Sequence, residues 1–385
     1  MKRTQLPDGQ SAYTVHAVAR ACDILAAFRD SLELVSLGEI AKRSGVGKVT
    51  VFRILATLAL KGLVEKVGPR AYRSRVTPLR RKKYLIGYAA QSEVVPFIGA
   101  VTESVVEAAK AAELDLLVLN NQASRTVAMR NADALIERKV DLVLEFQRVS
   151  DIAPRLAEKF SNAGIPLIAI DTPHPGAVYF GADNYKAGRI AGVNLARWAM
   201  HHWDSAVEEL VLIQSVLGGP ALDARALGAY DGMLSVLPRV GDLPLFRYDT
   251  QARHGNTLDA MRKHLRHSRA RRILVAPVNA PSTLAVLEAF CEFGREEHCA
   301  VVGQDACIEL RQEMRRPHTR LVGSVAYFPE CYGERLIGLA LDILDGKRPY
   351  PSAVFTQHRM ITPENVDKVY PNDLLMNGQT LRWPR

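Results

Sequence analysis

The sequence predicts an α/β protein in two parts: a small helical head with a hairpin, then a two-lobed body built on two parallel doubly wound sheets. Three observations lead to this prediction. The first 83 residues are strongly basic, they contain a helix–glycine–helix pattern, and from residue 84 short apolar runs alternate with amphipathic stretches. A chain of 385 residues has room for two or three domains of about 100–200 residues each. The predicted parts are a head at 1–75, a basic linker at 76–83, a body at 84–360 and a C-terminal extension at 361–385.

The composition is that of a soluble globular chain, with 48% hydrophobic and 24% charged residues. A run of about 18 uncharged apolar residues, which a membrane span needs, does not occur, and the polar start of the chain lacks the apolar core of a signal peptide. The five cysteines have no paired CxxC spacing. We therefore expect a cytoplasmic protein with reduced thiols, no cofactor, no metal and no membrane partner.

The positive charge is concentrated in the head. Residues 1–83 contain 17 Lys/Arg and 6 Asp/Glu, whereas the remaining 302 residues contain 33 and 35, so the net charges are +11 and −2. A basic module ahead of a nearly neutral body indicates a polyanion-binding head. A solubilising basic face is the alternative.

The head has the pattern of a winged helix-turn-helix. Residues 14–28 carry apolar side chains at helical spacing. Ser36 and Glu39 fit a capping box at the start of a second helix, which ends at Gly45. A third helix follows over about 48–60, and the strand-like runs around Gly68-Pro69-Arg70 predict a hairpin. Two helices joined by a short glycine turn place the second of the pair in a major groove of DNA.

Residues 36–66, SLGEIAKRSGVGKVTVFRILATLALKGLVEK, resemble the DNA-binding domain of IclR-type transcription regulators. The resemblance extends over about residues 12–75 and implies that Lys48, Thr50 and Arg53 lie on the recognition helix. A role of this domain in protein contacts is the alternative. The further basic residues that we assign to DNA contact are Lys42, Arg43, Arg70, Arg73 and Arg75.

The body alternates strand and helix, which predicts parallel sheets covered by helices. Eight strand-like runs are too many for one modest sheet, so two lobes are expected, with a ligand at the carboxyl ends of the strands. The predicted strands are 84–90, 115–119, 141–145, 166–170, 209–213, 272–276, 300–303 and 320–325. The predicted helices are 98–112, 126–138, 151–163, 185–202, 222–236, 256–267 and 282–293.

The order of motifs in the body resembles the type I periplasmic sugar-binding proteins and the effector domains of LacI-type regulators. The motifs are GIPLIAID (164–171), GADNYxxG (181–188) and VGQD (302–305). The resemblance covers about residues 84–360 and implies a ligand cleft containing Asp171, Arg225, Asn279 and Asp305. Short polar side chains at strand ends suit the hydroxyl groups of a sugar.

Five further residues are candidates for the same cleft, with a surface or packing role as the alternative for each: Gln91, Phe97, Glu145, Arg148 and Tyr327. Two arginines in one cleft, Arg148 and Arg225, would favour a sugar acid or a phosphorylated sugar.

Together these features predict a ligand-responsive transcription regulator that binds double-stranded operator DNA and a small carbohydrate-like effector. We expect a homodimer or a higher homo-oligomer, because one such head reads only a half-site. A purine effector is an alternative within the same class. An enzyme with an accessory DNA-binding head is the alternative from another class, although the sequence has no P-loop, GxSxG or HExxH motif.

Overall fold

The structure is a computed structural model that describes residues 15–28, 33–76, 84–92, 95–147, 149–346 and 352–373. The chain divides into two units, residues 1–83 and residues 84–385, which are described separately below. Most of the predicted linker, residues 77–83, lies outside the described residues.

The first unit has the three helices and the hairpin that the sequence predicts. Its elements are α1 (His16–Leu25), β1 (Val35–Ser36), α2 (Leu37–Ser44), α3 (Lys48–Leu60), β2 (Val64–Val67) and β3 (Ala71–Ser74). The three strands form an antiparallel sheet in the order β1-β3-β2.

Local chemistry fixes the helix pair α2 and α3. The Ser36 side chain accepts a hydrogen bond from the Glu39 backbone N–H at 3.2 Å, so the predicted cap of α2 is confirmed. Gly45 ends α2 in the left-handed region at φ 69°, where glycine has no steric penalty. In the apolar stripe of α3, Val51 and Leu55 are fully buried in the core of this unit, and Ile54 packs against that core while partly exposed.

The second unit contains two parallel-rich sheets, one in each lobe, as the sequence predicts, and each has six strands where the sequence predicts eight strands in all. The strands of the first lobe are β4 (Leu85–Ala90), β5 (Asp115–Asn120), β6 (Leu142–Phe146), β7 (Leu167–Ile170), β8 (Val178–Gly181) and β14 (Ala353–Phe355). Their order in the sheet is β14-β8-β7-β6-β4-β5, and each strand is parallel to its neighbours. The strands of the second lobe are β9 (Glu209–Gln214), β10 (Leu245–Asp249), β11 (Ile273–Ala276), β12 (Cys299–Asp305), β13 (Leu321–Ala326) and β15 (Arg359–Ile361), in the order β10-β9-β11-β12-β13-β15. Only the β13–β15 pair in this sheet is antiparallel.

Helices cover both faces of each sheet. Those of the first lobe are α4 (Pro96–Ala111), α5 (Arg125–Glu137), α6 (Ala153–Asn162) and α12 (Tyr332–Leu344). Those of the second lobe are α7 (Asn184–His202), α8 (Gly219–Val236), α9 (His254–His267), α10 (Ala280–Glu292), α11 (Ile308–Met314) and α13 (Val366–Val369). Each sheet has an apolar core on both faces, which explains why its strands read as continuous apolar runs.

The chain passes between the lobes three times among the described residues: between β8 and α7, between β13 and α12, and between β14 and β15. The strand β15 and the helix α13 belong to the second lobe, with Val366 in its core. The Arg311 guanidinium donates to both carboxylate oxygens of Asp373 at 2.7 and 2.9 Å. The described part of the predicted C-terminal extension is therefore built into this lobe.

Helices α7 and α8 pack with their backbones in contact. A Cβ atom on Gly188 would lie 1.9 Å from the carbonyl oxygen of Arg225, and one on Gly192 would lie 1.9 Å from that of Ala229. This approach holds α8, which carries Arg225, against the start of the second lobe. In the described part of the chain, no helix is both long enough and apolar enough to cross a bilayer.

Candidate nucleic-acid interface and ligand cleft

The helix α3 presents the residues that the sequence assigns to DNA recognition. Lys48 and Arg53 are exposed, and Thr50 is partly buried at the side of the same helix. Lys42 on α2 and Arg70 in the hairpin turn are also exposed. These positions leave the cationic groups accessible to phosphates, as the prediction requires.

The other arginines of the hairpin have an acidic partner within the head. Arg73 donates to the Glu65 carboxylate at 2.7 Å, and Arg75 lies 3.5 Å from the same carboxylate. The hydrogen bond from Arg73 lowers the pKa of Glu65. One carboxylate between two arginines leaves a net positive hairpin.

Arg43 has a different environment from the one predicted. Its guanidinium pairs with Glu33 at 3.0 Å and with Glu39 at 2.9 Å, and it donates to the carbonyl oxygen of Ala27 at 3.1 Å. The hydrogen bonds from Arg43 to Glu39 and Glu33 raise the pKa of this guanidinium. These contacts favour a structural role that ties α2 to the end of α1 over the phosphate contact that basic character alone suggested.

In the second unit, two predicted carboxylates lie at strand ends in neighbouring lobes. Asp171 follows β7 and Asp305 ends β12, with positive φ angles of 58° and 72°. Asp171 accepts a hydrogen bond from the Ala182 N–H at 3.2 Å, and Asp305 accepts from the N–H groups of Ala280 and Cys307, each at 3.2 Å. Backbone donors thus hold both carboxylates at the carboxyl edges of the sheets.

The positive charge of Arg225 acts on both acids and lowers the pKa of each. Its Nε donates to the Asn184 side-chain oxygen at 3.0 Å, and its Nη1 donates to the Val278 carbonyl. Its guanidinium lies 5.1 Å from the centre of the Tyr327 ring, within cation–π range. Three of the four residues that the resemblance assigns to the cleft, Asp171, Arg225 and Asp305, therefore interact electrostatically.

Burial is the largest influence on these acids. It raises the pKa of Asp171 to about 6 and that of Asp305 to about 6, against the smaller lowering by backbone donors and Arg225. Near neutral pH, both groups are mainly ionised and can accept hydroxyl donors.

Aromatic rings join the two lobes beside this group. Phe97, at the start of α4, packs against the cores of both lobes. Its ring meets Tyr327 edge-on at 6.2 Å and Tyr332 edge-on at 5.8 Å. The Tyr332 hydroxyl lies 3.5 Å from Asp171, so the apolar and polar parts of the cleft are continuous.

Three of the remaining predicted ligand residues, Glu145, Asn279 and Gln91, are buried or hydrogen-bonded within the protein. Glu145 is fully buried within the first lobe and accepts a hydrogen bond from Asn121 at 2.8 Å, and burial raises its pKa to about 8. Asn279 caps α10 through Ser282 and donates to the Ala252 carbonyl. Gln91 is buried at the end of β4. These contacts supply structural roles, and Arg148 lies outside the described residues.

Four residues of the cleft region are absent from the sequence-based assignment: Asn184, Gln304, Tyr332 and His358. Asn184 is the partner of Arg225, Gln304 accepts a hydrogen bond from the Tyr327 hydroxyl, and His358 lies against the Tyr327 ring at 5.4 Å. Asn184 stands in the GADN motif and could have been found there. Gln304 likewise stands in the VGQD motif, whereas the roles of Tyr332 and His358 depend on contacts that only the fold creates. No group of three metal-ligating side chains occurs within the ranges that the structure describes.

Comparisons with solved structures identify this architecture. A solute-binding protein of an ABC transporter from Bacillus halodurans, with bound myo-inositol, is 16% identical, covers 76% of this chain and 99% of its own, and has a TM-score of 0.65. One from Actinobacillus succinogenes with bound D-allose is 17% identical, covers 74% and 100%, and has a TM-score of 0.65. A protein from Mycobacterium smegmatis in complex with β-D-fucofuranose is 20% identical, covers 77% and 96%, and has a TM-score of 0.64. At these identities the likeness shows the fold.

Sequence-family comparisons agree with both predicted resemblances. The periplasmic binding protein domain matches residues 86–348, and the IclR helix-turn-helix domain matches residues 17–68. None of the curated proteins compared with the chain matches it. Because the first match spans well over half of the chain, the protein belongs to the periplasmic binding protein domain family, with an IclR-type helix-turn-helix domain at its N-terminal side.

Proposed function

We propose that this protein is a DNA-binding transcription regulator whose operator affinity is controlled by a small carbohydrate-like effector bound between its two lobes. The observation that carries the proposal is the combination, in one chain, of an IclR-type head with a two-lobed unit in which Asp171 and Asp305 stand at the carboxyl ends of β7 and β12 and Arg225 lies against Tyr327. The head supplies operator recognition, and the cleft supplies a ligand-sensitive element.

The chemistry of the cleft favours a neutral polyhydroxylated ligand. Asp171 and Asp305 offer acceptors for hydroxyl donors, and Phe97 offers an apolar surface for a ring face. Arg225 is already engaged by Asn184 and Val278, and its charge is balanced by the two acids. Among the described residues of the cleft, an anionic sugar would meet two carboxylates and one partly satisfied arginine, which favours the neutral ligand. The second predicted arginine, Arg148, lies outside the described residues.

The coupling follows from the three passages between the lobes. A ligand that binds both Asp171 and Asp305 links β7 of the first lobe to β12 of the second and so favours a closed arrangement. In a homodimer, which two half-sites would require, this closure would change how the two heads engage the operator. Since its target is DNA, we place the protein in the cytoplasm.

We further infer that the cleft binds its ligand without transforming it. Its residues are explained by hydroxyl and ring recognition, and we assign no nucleophile among them. Recovery of the bound sugar, chemically unchanged, after prolonged incubation with the protein would support this inference. Conversion to a product would replace it with the enzyme alternative.

The test is thermal unfolding of the full chain with a panel of probes: myo-inositol, D-allose, neutral pentoses, gluconate, sugar phosphates and purines. A ligand at 100 times its Kd adds about 2.7 kcal/mol of stability, which is roughly 5 °C in Tm for a unit of this size. We expect a shift with a neutral sugar that is lost in Asp171→Asn and Asp305→Asn. The matched control is Asp259→Asn, an exposed acid on α9 that should keep the shift.

Other patterns of thermal stabilisation across the probes would change the effector that we propose. A shift with gluconate or a sugar phosphate alone would reinstate the acidic ligand, and a shift with a purine alone would replace the sugar by a nucleobase. No shift with any probe, or equal shifts in all three variants, would contradict the cleft assignment.

A further inference from the structure

The outward face of α3 is largely apolar. Val49 is 77% exposed and Phe52 is 53% exposed, and Arg53 and Ala56 continue the same face. These four positions are spaced i, i+3, i+4 and i+7, so they form one stripe along the helix. The inner stripe that includes Val51, Leu55 and Leu58 packs the core of the head, and the outward residues are not needed for it.

Val49 and Phe52 in water, with Leu60 also 87% exposed at the end of the same helix, are unfavourable unless something covers them. The charged side chains around Val49 and Phe52 indicate which kind of partner surface covers these two residues. Lys48 and Arg53 are exposed beside them, and neither has a carboxylate partner among the described residues. The cationic side chains of such a helix suit a partner with negatively charged edges. Its apolar stripe suits methyl groups that lie between those edges.

The major groove of DNA is such a surface. It is about 12 Å wide and admits an α-helix, its walls are phosphates, and thymine is the base that presents a methyl group there. Val49 and Phe52 are three residues apart, which is roughly 4.5 Å along the helix axis at about 1.5 Å per residue. Since base pairs are spaced about 3.4 Å apart, side chains with this separation match neighbouring base pairs when the helix runs along the groove.

We propose that Val49 and Phe52 determine operator sequence by contacting the 5-methyl groups of two thymines at adjacent or next-adjacent base pairs. This inference rests on the proposed DNA-binding function and adds the base identity that the head selects. Lys48 and Arg53 supply phosphate or guanine contacts on either side of these positions. Val49 and Phe52 are thus specificity residues that the basic character of the head does not reveal.

The experiment removes single thymine methyl groups from the DNA and truncates Val49 or Phe52 in the protein. The full chain is used to select a binding duplex from a random pool, and each thymine of that duplex is then replaced singly by deoxyuracil. For the wild type, we expect about fourfold weaker binding at two nearby positions, the effect of one buried methyl group. Val49→Ala should abolish this sensitivity at one position and Phe52→Ala at the other.

The control is Val18→Ala, an equally exposed apolar residue on α1, which should keep both sensitivities. Val49 and Phe52 are exposed, so alanine at either position should leave the Tm unchanged. A wild type that binds the duplex with no deoxyuracil effect would overturn the inference, as would variants that retain both effects. A variant that changes the oligomeric state without changing DNA affinity would also overturn it, because the stripe would then be a protein contact. Failure of the wild type to select any duplex would instead contradict the proposed function itself.

Discussion

The contact between α7 and α8 makes a sharp prediction for Gly188→Ala. The added Cβ would lie 1.9 Å from the Arg225 carbonyl oxygen, 2.8 Å from its carbonyl carbon and 2.9 Å from the Ala229 nitrogen. A carbon–oxygen contact is ordinarily about 3.3 Å or more, so the helices must separate by roughly 1.4 Å. The obstacle is backbone, so no side chain can move aside to relieve the overlap.

The magnitude follows from two opposing effects. Overpacking costs about 1–3 kcal/mol, and a clash with rigid backbone belongs at the upper end. Replacing a glycine in a helix interior by alanine gains about 1 kcal/mol. The net loss is therefore about 2 kcal/mol in the free energy of unfolding, or roughly 4 °C in Tm. Because α8 carries Arg225, ligand affinity should fall as well.

The assay compares the Tm of Gly188→Ala with that of Gly338→Ala. Gly338 lies in α12, is exposed, and has open space where a Cβ would be placed. Its replacement should therefore raise the Tm by roughly 2 °C through helix propensity alone. The two variants should shift Tm in opposite directions. An increase in Tm for Gly188→Ala similar to that of the control would refute the close approach of the two helices.

Three further variants test individual interactions. Burial raises the pKa of Glu145 to about 8. The wild type should therefore lose stability relative to Glu145→Gln as the pH rises from about 5 to about 8, and the difference in stability should be constant above that window. A difference in Tm that does not depend on pH would contradict this. Arg43→Met should destabilise the head by about 1–2 kcal/mol without changing the salt dependence of DNA binding, whereas a smaller salt slope would restore its phosphate role. Arg311→Ala should release the segment that holds Asp373 and lower the unfolding free energy by about 2 kcal/mol, detected as faster C-terminal proteolysis; unchanged proteolysis would argue against this anchor.

Local signals in the sequence were sufficient for much of the fold. The Ser36 cap, the Gly45 turn and the stripe of α3 depend on residues within a few positions of each other, and the structure confirms them. The eight predicted strands are short apolar runs, and most of them are buried on both faces, with the edge strand β5 as the exception. The two-residue strand β1 of the head was missed, as were the strands β8, β10, β14 and β15 of the body. The last two have only three residues each, since they form where the chain passes between lobes.

The cleft shows the same division between local and long-range information. Asp171 and Asp305 could be identified because they stand at strand ends, where ligands bind in parallel sheets. The role of Tyr332 could not, because its contact with Asp171 joins residues 161 positions apart. The contacts of Arg43 were equally beyond the sequence, since basic character predicts a phosphate contact and the pairs with Glu33 and Glu39 appear only in the fold; the phosphate contact stays a prediction that Arg43→Met tests.

The central claim is that a ligand in the cleft controls DNA binding by the head. The most direct measurement is the operator affinity of the full chain with and without the neutral sugar that stabilises it, at one fixed salt concentration. The account predicts a change of about 5-fold or more in Kd, and the loss of this change in Asp305→Asn. A sugar that raises the Tm of the wild type but leaves its operator Kd unchanged within twofold would contradict the claim.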